Sequence, residues 1–311
     1  MSTDFSLPAV LSELRPEALT LLRLANECAA QTLDPDLLDL LQLSIESLIG
    51  NASFTGHTPI DIPRERTAAQ MAAIAFSEQF VIDVSGITDS DREALATHFP
   101  GEELRDFVTA LYILEFTYRL SLVAAMLFSE DLVRSDSSPS STDTASFHEH
   151  SNIRQVIKDY QDCVVRGADL DPVTTELVRL RCARTHNCRI CQTLRLSDAK
   201  AEGADDVMTA KVDFYESSDL NDSHKIALRI TDALITRPDS LRAETIIAAH
   251  MNFTPSQLAE LCLDITKWST QKIHVSLGID GADTVPKNEQ GVSFFGFDDL
   301  GQVTGYSATP S

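Results

Sequence analysis

Two similar stretches decide the fold: residues 170–180 read LDPVTTELVRL, and residues 33–43 read LDPDLLDLLQL. Aligned at an offset of 137, they share five identical positions and place one acidic residue opposite another. A second pair of blocks, 73–107 and 227–261, aligns without a gap at an offset of 154, so the second copy carries 17 extra residues between its blocks. Two blocks repeated in the same order indicate a tandem duplication.

The hydrophobic pattern is helical in both copies. Asp171 followed by Pro172 is typical of an N-cap and a first helical position, and it predicts a helix over 172–185. Similar periodicity predicts helices over 224–236 and 256–275. Because alternating strand patterns are almost absent, the sequence predicts an all-α fold.

The repeat divides the chain into four parts. We expect a first helical domain at 1–128, a linker at 129–150, a second domain at 151–280 and a tail at 281–311. The linker is rich in Ser, Thr and Asp and has too few apolar groups to pack, so we expect it to be flexible. We expect the tail to be an ordered arm lying on a neighbouring surface, with no chemistry of its own.

Composition narrows the class of protein. Of the 311 residues, 43% are hydrophobic and 23% charged, which is ordinary for a globular protein with a core. The 25 Lys and Arg face 47 Asp and Glu, a net charge of −22. Binding to phosphate backbones or anionic lipid needs the opposite balance, so we expect neither a nucleic-acid partner nor a membrane partner.

We expect neither a membrane anchor nor a secretory signal. Its most apolar stretch, 111–128, is interrupted by Glu115 and Arg119, short of the ~18 apolar residues of a membrane span. The first ten residues, MSTDFSLPAV, lack a basic region and a long apolar core. Six cysteines are too few for a secreted disulfide scaffold, so we expect a reducing cytoplasm.

One region concentrates positive charge. Residues 177–197 contain five arginines and three cysteines but no acid, and Cys188 and Cys191 form a CxxC after an expected helix break at 186–187. If a helix begins near Cys188, its N-terminus and the nearby arginines favour the reactive thiolate. Arg195 would then share a helix face with Cys191.

The CxxC alone allows three interpretations. A redox dithiol is favoured by the reducing compartment and the local charge. Zinc bound by Cys182, His186, Cys188 and Cys191 is a second, although the spacing differs from that of paired zinc knuckles. Two ordinary core cysteines are the third, which leaves the arginines unexplained.

Glu176 precedes the CxxC on the expected helix. It shares a face with Val173, Leu180 and Ala183, where loss of solvation would suit a carboxylate that accepts a proton from a thiol. Alternatively, Glu176 is exposed or paired with Arg179, three residues further on. The sequence leaves both interpretations open.

These residues resemble a known family. Glu176, eleven intervening residues, Cys188-x-x-Cys191 and the later FTPSQL at 253–258 resemble the carboxymuconolactone decarboxylase superfamily, in its AhpD-like alkylhydroperoxidase branch. The resemblance covers about residues 150–280, and the first copy resembles a diverged domain of the same family. It implies an all-helical oligomer that reduces small hydroperoxides and is recycled by an external dithiol, without a metal or flavin cofactor.

The resemblance also assigns roles and exposes departures. It implies that Cys191 attacks the peroxide, Cys188 resolves the product and Glu176 relays a proton. Arg195 stands where the family has a histidine, and arginine does not relay protons at neutral pH, though it can hold a thiolate. The first copy lacks the motif, since its aligned residues are Asp39, Asn51, Phe54 and Thr58.

We therefore expect one working dithiol site per chain, in a thiol-dependent hydroperoxidase whose first half is inert. A decarboxylase or isomerase acting on a lactone is an alternative, but it would not need the cysteine pair. A non-enzymatic scaffold that responds to redox state is the other alternative, in which the first copy, linker and tail serve assembly.

Overall fold

A computed structural model describes residues 7–50, 66–129 and 152–310. Most of the expected linker, together with Asn51, Phe54 and Thr58, lies outside these residues. Helices dominate the described chain, and its strands form one small sheet, which confirms the all-α class.

The first half contains six described helices: α1 (Ala9–Leu14), α2 (Pro16–Thr32), α3 (Pro35–Ile49), α4 (Ala68–Ile82), α5 (Asp89–Ala96) and α6 (Glu102–Leu127). The second half continues with α7 (Ile153–Val164), α8 (Pro172–Thr185), α9 (Arg189–Thr193), β1 (Leu194–Leu196), α10 (Ser197–Ala201), α11 (Asp206–Ala210), α12 (Asp222–Ile235), α13 (Ala243–Asn252), α14 (Pro255–Trp268), α15 (Gln271–Ser276), β2 (Ser293–Phe297) and β3 (Val303–Ser307).

The helices follow the internal repeat. Both α3 and α8 begin with a proline after a capping aspartate: Asp34 accepts the backbone N–H of Leu37, and Asp171 accepts that of Thr174. Helices α4 and α12 both begin at the offset of 154, as do α5 and α13. The predicted helix at 172–185 is confirmed, and the one at 224–236 is confirmed to within two residues at its start.

The two halves share one core. Helix α2 packs against α6 and also against α7, and the largest cluster of buried apolar residues includes members from both halves. Helix α6 is long and apolar enough to cross a membrane, but 83% of its most apolar window is buried inside the protein. Its apolar side chains therefore pack in the core of the protein.

Three buried charges join α6 to α15. Arg119 donates to Glu115 at 2.8 Å, and the ammonium of Lys272 lies 2.6 and 2.8 Å from the two carboxylate oxygens of Glu115. Arg119 also donates to the backbone carbonyls of Val81 and Thr236. One carboxylate thus binds cations from both halves of the chain.

Two features differ from the predicted fold. The expected helix at 256–275 is interrupted at 269–270, where α14 ends and α15 begins. The tail forms β2 and β3, and β2 runs parallel to β1, with Leu194 opposite Ser293. Because this pairing joins segments about one hundred residues apart, no local alternation announces it.

Replacing Glu115 by Gln tests the buried charge cluster. The substitution leaves Arg119 and Lys272 buried beside a neutral amide, so we expect the free energy of unfolding to fall by about 3–5 kcal/mol. Urea denaturation measures the loss. The exposed Glu102→Gln is the control, with an expected loss below about 1 kcal/mol. A similarly small loss for Glu115→Gln would show that the cluster is not essential.

Candidate functional site

The site begins where α8 ends. Asn187 has φ of 53°, and it is the one non-glycine residue with positive φ in the described chain. The N–H of Asn187 bonds to the carbonyl of Arg184, and that of Cys188 bonds to the carbonyl of Ala183. This is a Schellman ending with asparagine in the left-handed position, and it confirms the expected helix break at 186–187.

The two cysteines lie at the start of α9. Cys188 is its N-cap, and its Sγ accepts the backbone N–H of Cys191 at 3.4 Å. Their Cα atoms are 5.3 Å apart, and the sulfurs are within bonding distance as a disulfide. Cys188 is fully buried, whereas Cys191 is partly exposed. Of these two cysteines, Cys191 is therefore the one that a molecule arriving from outside can reach.

Arg195 does not share a helix face with Cys191, so that part of the prediction is wrong. Helix α9 ends at Thr193, and Arg195 lies in the middle of β1, opposite Phe294 of the tail. Its guanidinium donates to the carbonyls of Gln192 and Leu194, both at 2.8 Å. Arg195 therefore ties together the turn between α9 and β1.

Glu176 is buried and paired with Arg179, which is one of the alternatives the sequence left open. The guanidinium donates to both carboxylate oxygens, at 2.7 and 2.8 Å. It also donates to the carbonyl of Cys191 at 2.9 Å and to that of Leu194. Sequence reasoning missed this role of Arg179. The i,i+3 spacing shows the ion pair with Glu176, but it does not show that the chain after α8 folds back and brings two backbone carbonyls to the guanidinium.

A pocket of about 200 Å³ opens beside Cys191. Its lining includes Cys191 and Arg179, residues of α14 and α15, and the tail. The aromatic lining residues are Trp268, Phe295, Phe297 and Tyr306. The tail therefore forms a wall of the candidate site, although we expected no chemical contribution from it.

The other cysteines have surroundings unlike those of the CxxC. Burial raises the pKa of Cys182 to about 12, and that side chain faces the hydroxyl of Ser269, 3.9 Å away. His186 contacts the same hydroxyl at 3.3 Å. Within the described residues, no three His, Cys, Asp or Glu side chains are grouped so that they could hold a metal ion.

Comparison with known proteins finds two similar chains. The chain is 33% identical over 234 residues to the uncharacterized protein Rv2313c of Mycobacterium tuberculosis strain H37Rv, covering 75% of this chain and 79% of that one. The same figures hold for the uncharacterized protein MT2376 of strain CDC 1551. No protein-family model matches the chain, and no solved structure matches it.

The fluorescence of Trp268, the sole tryptophan, tests whether the tail closes the site. Its ring lies 6.5 Å from that of Phe295. We expect Phe295→Ala to shift the emission to longer wavelength as water reaches the indole, and to cost about 3 kcal/mol of stability. Phe214→Ala, at an exposed ring, should change neither quantity. An unchanged emission for Phe295→Ala would contradict the observed packing.

Proposed function

For this chain, which belongs to the same family as the two uncharacterized mycobacterial proteins, we propose a thiol-dependent hydroperoxidase activity at Cys191 and Cys188. The observation that carries the proposal is the unequal exposure of two cysteines whose sulfurs are within bonding distance. A dithiol catalyst needs one accessible thiol to attack and a second thiol close enough to displace the product. Cys191, in the pocket, suits the first role and buried Cys188 the second.

The reaction balances with a hydroperoxide and a dithiol. The Cys191 thiolate attacks the terminal, hydrogen-bearing oxygen of the hydroperoxide and the O–O bond breaks, which leaves Cys191 as a sulfenic acid. The departing alkoxide takes up the proton that Cys191 released on ionisation and leaves as the alcohol. The Cys188 thiol then displaces water from that sulfur and forms the disulfide. An external dithiol reduces the disulfide by thiol–disulfide exchange, which restores two thiols and closes the cycle.

The arginines favour this chemistry by position. Arg179 lines the pocket and holds the carbonyl of Cys191, while Glu176 fixes the guanidinium from the other side. We expect Glu176 to act through Arg179, because its carboxylate oxygens are occupied by that guanidinium. Arg195 holds the turn that follows Cys191. Glu176 and Arg195 are therefore positioning residues.

The likeness to the AhpD-like branch supports the proposal independently of the geometry. The spacing from Glu176 to Cys188 and Cys191 is the part of that pattern present here. We extend the proposal to an external dithiol reductant, a cytoplasmic location and a homo-oligomeric assembly.

Single cysteine substitutions separate the two thiol roles. We expect Cys191→Ser to stop peroxide consumption, because the attacking sulfur is gone. We expect Cys188→Ser to react once and hold Cys191 as a sulfenic acid, which dimedone labels and mass spectrometry locates. Cys163→Ser, at a partly buried cysteine outside the pocket, is the control and should match wild type. Undiminished turnover by Cys191→Ser would refute the proposal.

A redox-responsive scaffold is a second candidate, favoured by one observation. Strand β2 of the tail pairs with β1, which begins three residues after Cys191, so a change at the disulfide can reach the tail. Such a scaffold would oxidise once and change shape without turning over.

Multiple-turnover kinetics separate the two candidates. With dithiothreitol in excess, the hydroperoxidase should consume many equivalents of cumene hydroperoxide per chain at an undiminished rate. Consumption that stops near one equivalent, with a changed elution volume on size exclusion, would favour the scaffold.

A further inference from the structure

The pocket beside Cys191 contains a buried lysine that forms no ion pair within the part of the chain that the structure describes. Lys267 is 6% exposed, and its amine forms neither an ion pair nor a hydrogen bond with the residues that the structure describes. The Nζ atom lies 2.8 Å from the ring centroid of Trp268 and 4.8 Å from that of Phe297. Burial lowers the pKa of Lys267 well below its usual range, since aromatic faces replace water only in part.

Two carboxylates favour the charged form of Lys267, but among the described residues neither forms an ion pair with it. One is Asp162, which lines the same pocket and is paired with Lys158. Asp264 lies one turn earlier on α14, outside ion-pair distance of Lys267, and its side chain contacts the hydroxyl of Thr175 at 3.4 Å. Burial raises the pKa of Asp264, which opposes the charged form of this carboxyl. Glu176 is already paired with Arg179. Lys267 is therefore a buried amine that an incoming anion would complement.

Two further donors in this pocket also lack partners. Gln271 is 6% exposed and lines the pocket, and its Nε2 has no hydrogen-bond acceptor among the described residues. The indole Nε1 of Trp268, in the same lining, is likewise buried without an acceptor. Buried donors are usually satisfied, so two of them beside an unpaired amine indicate an acceptor brought by a ligand.

The remaining walls define the rest of that ligand. Phe295, Phe297 and Tyr306 present aromatic surface. A volume of about 200 Å³ is below the roughly 300–1,000 Å³ of pockets for drug-sized molecules. A ligand with one or two rings therefore fits the pocket.

We propose that this pocket binds a small ring-containing organic acid, its carboxylate held by Lys267 and Gln271 and its ring placed against the tail aromatics. A bound carboxylate favours the ammonium form of Lys267 against the effect of burial, and it accepts the unused N–H of Gln271. The ring buries apolar surface against Phe295 and Phe297. The tail thereby supplies part of a ligand site on the second helical domain.

Titration calorimetry with benzoate and benzamide tests the proposal on the wild-type chain. The two probes have nearly the same shape, and only benzoate carries the charge. We expect benzoate to bind at one saturable site, at least tenfold more tightly than benzamide, because a hydrogen bond to a charged group contributes more than a neutral one. Absence of saturable benzoate binding, or equal affinity for both probes, would overturn the proposal.

Two substitutions identify the donors. Lys267→Met keeps the length of the side chain and removes its amine, so benzoate affinity should fall tenfold or more while benzamide affinity stays unchanged. Gln271→Leu should weaken benzoate about threefold to tenfold. Lys200→Met, at a lysine outside the pocket lining, is the control and should bind as wild type does. Unchanged benzoate affinity in Lys267→Met would contradict the assignment.

A doubly substituted protein separates this inference from the redox chemistry. Cys188→Ser with Cys191→Ser cannot form the disulfide, yet it keeps Lys267, Gln271 and the aromatic walls. We expect its benzoate affinity to lie within about threefold of wild type, because the proposed contacts do not involve sulfur. Loss of binding in this variant alone would place the ligand on the cysteines and overturn the assignment to Lys267.

Discussion

The candidate site depends on the hydrogen bonds that the guanidinium of Arg179 donates. It binds Glu176 on its own helix and the carbonyls of Cys191 and Leu194 on the segment that folds back. It is 2% exposed, so each of these bonds forms away from water. A planar group with five donors suits this arrangement, whereas lysine could not serve both an acidic side chain and two carbonyls with the same geometry.

The surrounding fold keeps that segment in place from two sides. On one side, the helices of both halves form one core, in which Glu115 binds Arg119 and Lys272. On the other side, the tail pairs β2 with β1 and lines the pocket with aromatic rings. The first half therefore contributes packing, while the tail contributes surface next to Cys191.

The sequence was most informative where structure is local. Asp171 and Pro172 marked the start of α8, and the break after it followed from residues 186–187, because capping and turn chemistry are encoded within a few residues. The position of Arg195 was not predictable in this way. The chain leaves the helix at Leu194 to pair with a strand about one hundred residues later, and such pairing has no local signal. The i,i+3 spacing did offer Arg179 as a partner for Glu176, but it gave no sign of the carbonyls of Cys191 and Leu194 that Arg179 also binds.

Mass mapping of residues 185–195 after one equivalent of cumene hydroperoxide tests the central claim most directly. The fully reduced chain should lose two of its six thiols, and the mapped peptide should contain a Cys188–Cys191 disulfide that dithiothreitol reverses. Cys182 and Cys262, whose pKa values burial raises to about 12, should remain thiols. An unreacted Cys188–Cys191 pair, with all six thiols retained, would contradict the account.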